Sequence, residues 1–239
     1  MRKLDIIYHD EDIVVINKPS GLLSIPDRYD PLKPNLQERL NKKFGKIWTV
    51  HRLDKDTSGL ILFAKNEDAH RALSLDFEHR SIEKIYHAFV HGRPPLEEGI
   101  VDVALIKRQD GKMLVAQKGM RSITYFRLKK SFQHHSILEL KLETGRTHQA
   151  RVHCEYLSCP MIVDELYGGD EGFYVSSIKR NYNIAKGKEE RPLISRTPLH
   201  AYQINLKHPT TKKPLQFSAE YPKDLRALEN QLSKWSSIN

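Results

Sequence analysis

The sequence predicts an α+β fold, a single domain over residues 1–239 with a mixed, mostly antiparallel sheet flanked by helices and loops. Three observations carry that reading. Short apolar runs rich in β-branched residues recur along the chain, separated by polar turns. Helical periodicity is confined to a few stretches, most of them opening on an Asn or Thr that can cap. Residues 100–142 read as strand throughout, which favours hairpin connections and an antiparallel sheet. No internal repeat and no Gly/Ser-rich linker divides the chain.

Residues 6–8 and 13–16 read as strands around the turn 9–12, and Pro19 and Gly21 forbid continuation of the second. Residues 24–34, with Pro26, Pro31 and Pro34, read as an ordered loop. Asn35 can cap a helix carrying Leu36, Leu40 and Phe44, with Glu38 as its capping-box partner. A strand, a polar loop and a second strand follow at 47–64. Asn66 can cap a helix through about residue 79, with Ala69, Ala72, Leu73 and Phe77 on one face. Residues 84–90 read as a strand closed by Gly92.

In the stretch 100–142, residues 108–112 supply a hairpin turn. Leu138, Leu140 and Leu142 alternate with Glu139 and Lys141, the pattern of a half-buried strand. Thr147 can cap a helix running to Leu157. Residues 168–198 are irregular and basic, with Lys179, Arg180, Lys186, Lys188, Arg191 and Arg196; so long a loop is usually functional or partly disordered. A strand pair at 199–206 and 215–219 encloses His208-Pro209-Thr210-Thr211. A final helix places Leu225, Leu228, Leu232 and Trp235 on one face.

The formal net charge is +9, with Lys and Arg spread along the chain. Such a surface suits a polyanion, most commonly nucleic acid, or belongs to a basic protein with no such partner. No apolar run reaches the length of a membrane span. The N-terminal residues lack the apolar stretch of a secretory signal, and Cys154 and Cys159 form no disulfide framework. A cytoplasmic protein is therefore expected.

The stretch that organises the chain is His51-Arg52-Leu53-Asp54-Lys55-Asp56-Thr57-Ser58-Gly59, a charged loop between two apolar runs. Asp54 and Asp56 are two apart. On an extended segment they would share a side, as acid–base or metal-binding carboxylates do, although Asp56 can equally bond Thr57 and Ser58. Tyr86 lies within a strand and reads first as a core tyrosine with a bonded hydroxyl. Arg146 precedes a helix start, where the dipole disfavours a cation, so it needs a carboxylate or a phosphate for company. Metal ligation reads poorly: His148 and His153 point to different sides of a helix, and the cysteines lack CxxC spacing. No phosphate-cradling glycine loop and no Ser or Cys triad is visible.

The loop 51–59 resembles the HRLDxxTSG signature of RluA-type RNA pseudouridine synthases. The likeness extends to Asn17-Lys18-Pro19-Ser20-Gly21, to Lys84-Ile85-Tyr86-His87-Ala88, to residues 142–153, and to Leu199-His200-Ala201 with His208-Pro209. These blocks follow the family's order and cover nearly the whole chain. Ser158 and Val163 stand where the family commonly has Gly, and, with strand signals from about residue 6, no counterpart is expected of the small RNA-binding module that precedes the catalytic domain in some relatives.

The resemblance implies an isomerase that breaks the uridine N1–C1′ bond in RNA, turns the base and joins C5 to C1′. Asp54 then matches the catalytic aspartate, which attacks the ribose or takes a ribose proton. Tyr86 matches the tyrosine that stacks on the base, and Arg146 the arginine paired with the aspartate. Arg52 resembles the arginine that fills the gap left by the flipped nucleotide. Lys179 and Arg180 are candidate RNA contacts. Extruding the target base costs a few kcal/mol, least in a loop, and phosphate contacts offset it. An adjacent arginine favours the ionised form of a desolvated carboxylate. The reaction needs no metal and no cofactor. The expected partner is a structured stem-loop of ribosomal or transfer RNA, with no membrane, and a monomer is expected.

Overall fold

The computed structural model describes residues 3–183, 187 and 189–238. The elements run β1 (Asp5–His9), β2 (Ile13–Lys18), α1 (Leu36–Phe44), β3 (Trp48–Thr49), β4 (Ser58–Ala64), α2 (Glu67–Glu78) and β5 (Glu83–His91). They continue with β6 (Glu98–Lys107), β7 (Met113–Val115), β8 (Met120–Ser131), β9 (His135–Leu142), α3 (Gln149–Tyr156), β10 (Leu199–Lys207), β11 (Pro214–Ser218) and α4 (Lys223–Trp235). Lys186 and Lys188, two of the basic residues noted above, lie outside the described residues. The chain divides into two compact units. One comprises Met1–Ile85 and His200–Glu220, the other Tyr86–Leu199 and Tyr221–Asn239.

In the first unit β1, β2, β4 and β10 lie side by side, with β3 also on β4 and β11 on β10. The pairs are antiparallel except β4 with β10, which is parallel, so the sheet is mixed as expected. Every residue of β4 is buried, and Ile13 to Ile16 of β2 are wholly so. That is why these strands read as unbroken apolar runs rather than alternating ones. Ala69 and Leu73 of α2 pack on Ile13, Val15, Leu60 and Leu62. Both expected caps form: the Asn35 side chain accepts from the Glu38 N–H at 2.9 Å, and the Asn66 side chain from the Ala69 N–H at 2.8 Å.

In the second unit the order is β5-β9-β8-β6-β7. The hairpin turn at 108–112 is closed by bonds from Arg108 N–H to Lys112 and from Gly111 N–H to Arg108. On β9 the buried Leu138, Leu140 and Leu142 lie opposite Leu128, Phe126 and Thr124. Leu225, Leu228 and Leu232 of α4 join Phe89, Ile137, Ile162, Phe173 and Ile194 in one core. The irregular stretch is thereby pinned at two points, where Phe173 and Ile194 also pair through their backbones. Trp235 departs from its expected place on the apolar face: at the last turn of α4 it emerges, 37% exposed.

The helix expected from Thr147 begins later. His148 takes the N-cap position in the left-handed conformation, and no side chain caps α3. Gln149 does the organising instead. Its Oε1 accepts from the Arg146 N–H at 3.0 Å and the Thr144 hydroxyl at 2.7 Å, and its Nε2 donates to the Ile123 carbonyl and the Thr124 hydroxyl. Those partners on β8 fix the helix start more firmly than a local cap could. The Gly-like position of Ser158 behaves as glycine would, with φ +58.

Candidate active site

Asp54 sits in a tight turn whose 54–57 closure is a bond from the Thr57 N–H to the Asp54 carbonyl at 3.2 Å. The segment is bent at 55–56, as the loop reading of 51–59 expects, and is not the extended segment on which Asp54 and Asp56 would share a side. The segment after β2 holds this turn from outside. The Ser24 hydroxyl donates to the Leu53 carbonyl at 2.8 Å and accepts from the Leu53 N–H at 3.1 Å. The Gly21 N–H donates to the Lys55 carbonyl at 2.9 Å. Lys18 is fully buried, and its ammonium donates to the carbonyls of Leu22, Lys55 and Pro19 at 2.8, 3.0 and 3.1 Å. Three donors thus meet three carbonyls, which makes burial of a lysine tolerable.

Four other residues of the loop signature are committed to the frame. The His51 Nε2 accepts from the Leu62 N–H at 2.9 Å, and its ring stacks on Phe77. Burial, with Lys84 nearby, lowers the pKa of His51 to about 3, so the ring is neutral and can accept. The Ser58 hydroxyl lies 2.9 Å from His200 Nδ1, and His200 Nε2 lies 3.0 Å from the Ala219 carbonyl. A carbonyl only accepts, so Nε2 carries the proton and Ser58 donates to Nδ1. Gly59 has φ +108, and a Cβ there would lie 2.2 Å from the Ala201 carbonyl oxygen. Leu53 is in the core. In the same loop Arg52 and Lys55 are exposed and Asp54 is half-buried.

The block at 144–153 repeats this division of labour. Gln149 locks the backbone of Arg146 as described. His148 Nδ1 lies 3.0 Å from the Tyr167 hydroxyl, which also accepts from the Met113 N–H. Arg151 makes a two-bond pair with the fully buried Asp164, at 2.6 and 2.7 Å, and lies over the Tyr167 ring. Arg146 has a fixed backbone and an exposed side chain. Tyr86 is buried on β5, 7% exposed. Asp54 and Arg52 thus belong to the first unit, and Tyr86, Arg146, Lys179 and Arg180 to the second.

Lys179 and Arg180 line a cleft of about 440 Å³ in the second unit. Arg196, grouped with them in the sequence, instead makes a two-bond pair with Asp224 near the start of α4. Among the described residues no group of three or more His, Cys, Asp or Glu is placed to hold a metal ion. Sequence reasoning gave no positioning role to four residues that hold the loop 51–59 or the backbone of Arg146: Lys18, Ser24, Gln149 and His200. The signal for Lys18 was present in Asn17-Lys18-Pro19-Ser20-Gly21, where a lysine closes an otherwise buried strand.

A sequence model of the RNA pseudouridylate synthase family matches residues 12–156. A ribosomal large subunit pseudouridine synthase D of Vibrio parahaemolyticus is 34% identical over 238 residues, covering 97% of this chain and 71% of that protein. A dual-specificity RNA pseudouridine synthase RluA of Vibrio vulnificus is 34% identical over 213 residues, covering 86% and 78%. Among solved structures, human RNA pseudouridylate synthase domain containing 4 superposes with a TM-score of 0.70 at 25% identity, covering 95% of this chain and 92% of that one.

Proposed function

The chain belongs to the RNA pseudouridylate synthase family, and on that premise we propose that it isomerises loop uridines in ribosomal or transfer RNA with Asp54 as its catalytic carboxylate. Members of this family convert uridine to pseudouridine in RNA. The N1–C1′ bond breaks, a C5–C1′ bond forms, and the proton lost from C5 is balanced by one gained at N1. No water is consumed and no oxidation state changes, so the reaction calls for neither a hydrolytic metal nor a redox cofactor.

The observation that carries the role of Asp54 is the turn itself. Lys18, Ser24 and Gly21 hold the backbone on both sides of Asp54, while His51, Leu53, Ser58 and Gly59 serve the frame. A carboxylate that contributes nothing to the frame, on a backbone fixed from two directions, is the arrangement a reactive group needs. Tyr86 and Arg146 act in the same reaction in this reading, in the roles that the resemblance implies for them. Arg52 fills the space of the extruded nucleotide, and Lys179 and Arg180 contact RNA.

The choice of RNA draws on the relatives, one named for the large ribosomal subunit and one for dual specificity. The +9 charge supports a polyanionic substrate. No helix among the described residues is long and apolar enough to cross a membrane. On this reading the protein works on ribosomal or transfer RNA in the cytoplasm, as a monomer. A hairpin RNA carrying uridine tritiated at C5 tests the reading. Release of tritium without free uracil is expected; free uracil would make the protein a nucleoside hydrolase, and binding without release a silent RNA-binding protein.

A further inference from the structure

The cleft in the second unit that Lys179 and Arg180 line contains none of Asp54, Tyr86 and Arg146. Its volume, about 440 Å³, is that of a small-molecule site and far exceeds what a lone phosphate fills. Two polar atoms in its walls lack partners: His135 Nδ1 and Ser236 Oγ, on residues 7% and 2% exposed. Unpaired buried atoms also occur outside the cleft, as at Thr49 Oγ1 and Ser131 Oγ, but these two belong to residues that line it, where a hydrogen-bonding guest would offset a cost of about 1–3 kcal/mol each.

The rest of the lining defines that guest. Phe173 supplies an apolar wall, edge-on to the His135 ring. Burial lowers the pKa of His135 to about 4, with His91 and His134 adding to the effect, so the ring is neutral at physiological pH. It therefore offers a hydrogen bond rather than a charge. The cations are Lys179 and Arg180. The carboxylate of Asp170 also lines the cleft, 3.2 Å from His91 Nε2. The Lys179 ammonium lies 4.8 Å from the Trp235 ring centroid and 5.7 Å from that of Tyr182, and both rings are partly exposed. Basic side chains interleaved with exposed aromatic rings are how proteins hold single-stranded nucleic acid.

We propose that this cleft is a second RNA subsite that takes one unpaired nucleotide other than the target uridine. Its phosphate meets Lys179 and Arg180, and its base lies against Phe173 with a polar edge toward His135 and Ser236. The proposal rests on the reading of the protein as an RNA-modifying enzyme. It explains why so long a loop is pinned by Phe173 and Ile194 instead of being trimmed.

The test uses the full chain with Trp48→Phe, which leaves Trp235 as the sole tryptophan reporter. Uridine trinucleotide should quench Trp235 emission, and inorganic phosphate at equal concentration should not. Ser176→Phe, which fills the cleft from an exposed lining position, should weaken the trinucleotide at least tenfold. A hairpin with a three-nucleotide single-stranded flank should bind at least fivefold tighter than a blunt one, and Ser176→Phe should remove that difference. No quenching, equal quenching by phosphate, or an unchanged Ser176→Phe would overturn the subsite. Tritium release by the unsubstituted chain is read on the same hairpins. Release with no trinucleotide effect sinks the subsite alone, whereas trinucleotide binding without release upholds the subsite and sinks the isomerase.

Discussion

The ammonium of Lys18 donates to the carbonyl of Lys55, 37 residues away in sequence and adjacent to Asp54. The bond ties the end of β2 to the turn that carries the candidate carboxylate. Lys18→Met keeps most of the volume and removes the donors, taking from the Leu22 carbonyl its bond to the ammonium and leaving the Lys55 carbonyl with the Gly21 N–H. A loss of roughly 2–3 kcal/mol is expected in urea unfolding. In steady-state assays kcat should fall more than KM rises, because the turn loses its aim while RNA contacts persist. A wild-type kcat in this variant would mean the turn holds itself.

Gly59→Ala should be far more damaging than its size suggests. The added Cβ would meet the backbone of Ala201 at 2.2 Å, where β4 and β10 pair in parallel, and φ +108 is strained for any L side chain. Neither strand can retreat, since β4 is buried along its whole length. Loss of soluble protein, or destabilisation of about 3 kcal/mol or more, is expected on expression and urea unfolding.

Ser158→Gly should act in the opposite direction. Ser158 holds φ +58 at the turn after α3, a conformation that costs an L residue about 1–2 kcal/mol and glycine nothing. Part of that gain is lost to the greater freedom of glycine in the unfolded chain. A net stabilisation of about 0.5–1 kcal/mol should appear as a higher urea midpoint at an unchanged slope.

These positions show what was legible in the sequence. Asn35 and Asn66 were readable as caps because their partners lie three residues on. The turn at 108–112 was readable because Gly111 and its neighbours close it locally. The start of α3 was not, because Gln149 answers to Ile123 and Thr124 on β8, about 25 residues away. Lys18 was passed over for the same reason: a lysine reads as solvated until the carbonyls that enclose it are known. Asp54 and Arg146 stood out by residue type and place, while their roles, and Arg52 altogether, came through the resemblance. In the structure several motif residues beside them, His51, Ser58 and Gln149 among them, are bonded into the frame.

Acid should weaken the fold through its histidines. The His51 Nε2 must stay unprotonated to accept from Leu62, and its pKa is about 3 against an ordinary 6.5. Between those values the unfolded chain binds a proton that the folded chain refuses. The stabilisation is therefore complete above pH 6.5 and is lost as pH falls toward 3. His135 and His153, lowered to about 4 by burial, contribute in the same sense. Each should cost about 1 kcal/mol between pH 7 and 5.5. His51→Gln retains an acceptor for the Leu62 N–H without the titration, so its unfolding free energy should vary less over that range. Equal slopes for the variant and the parent would remove His51 from the account.

Asp54 and Arg146 are distinguished by what each loses on substitution. Asp54→Asn keeps the shape of the side chain and removes its charge and basicity. It should abolish isomerisation while RNA binds as before, because the frame bonds around it run through Lys18, Ser24 and the backbone. Arg146→Met keeps the stem and removes the guanidinium. Its backbone stays fixed by Gln149, so the local fold should survive. If Arg146 supports the carboxylate, the single-turnover rate at saturating RNA should fall by about two orders of magnitude or more, the equivalent of roughly 3 kcal/mol of transition-state stabilisation. If it anchors a phosphate instead, RNA affinity should drop and the rate at saturation should stay near normal. Single-turnover rates measured across RNA concentration separate the two cases. A normal maximal rate for Arg146→Met would dissolve the pairing, and a normal maximal rate for Asp54→Asn would remove the carboxylate from the chemistry altogether.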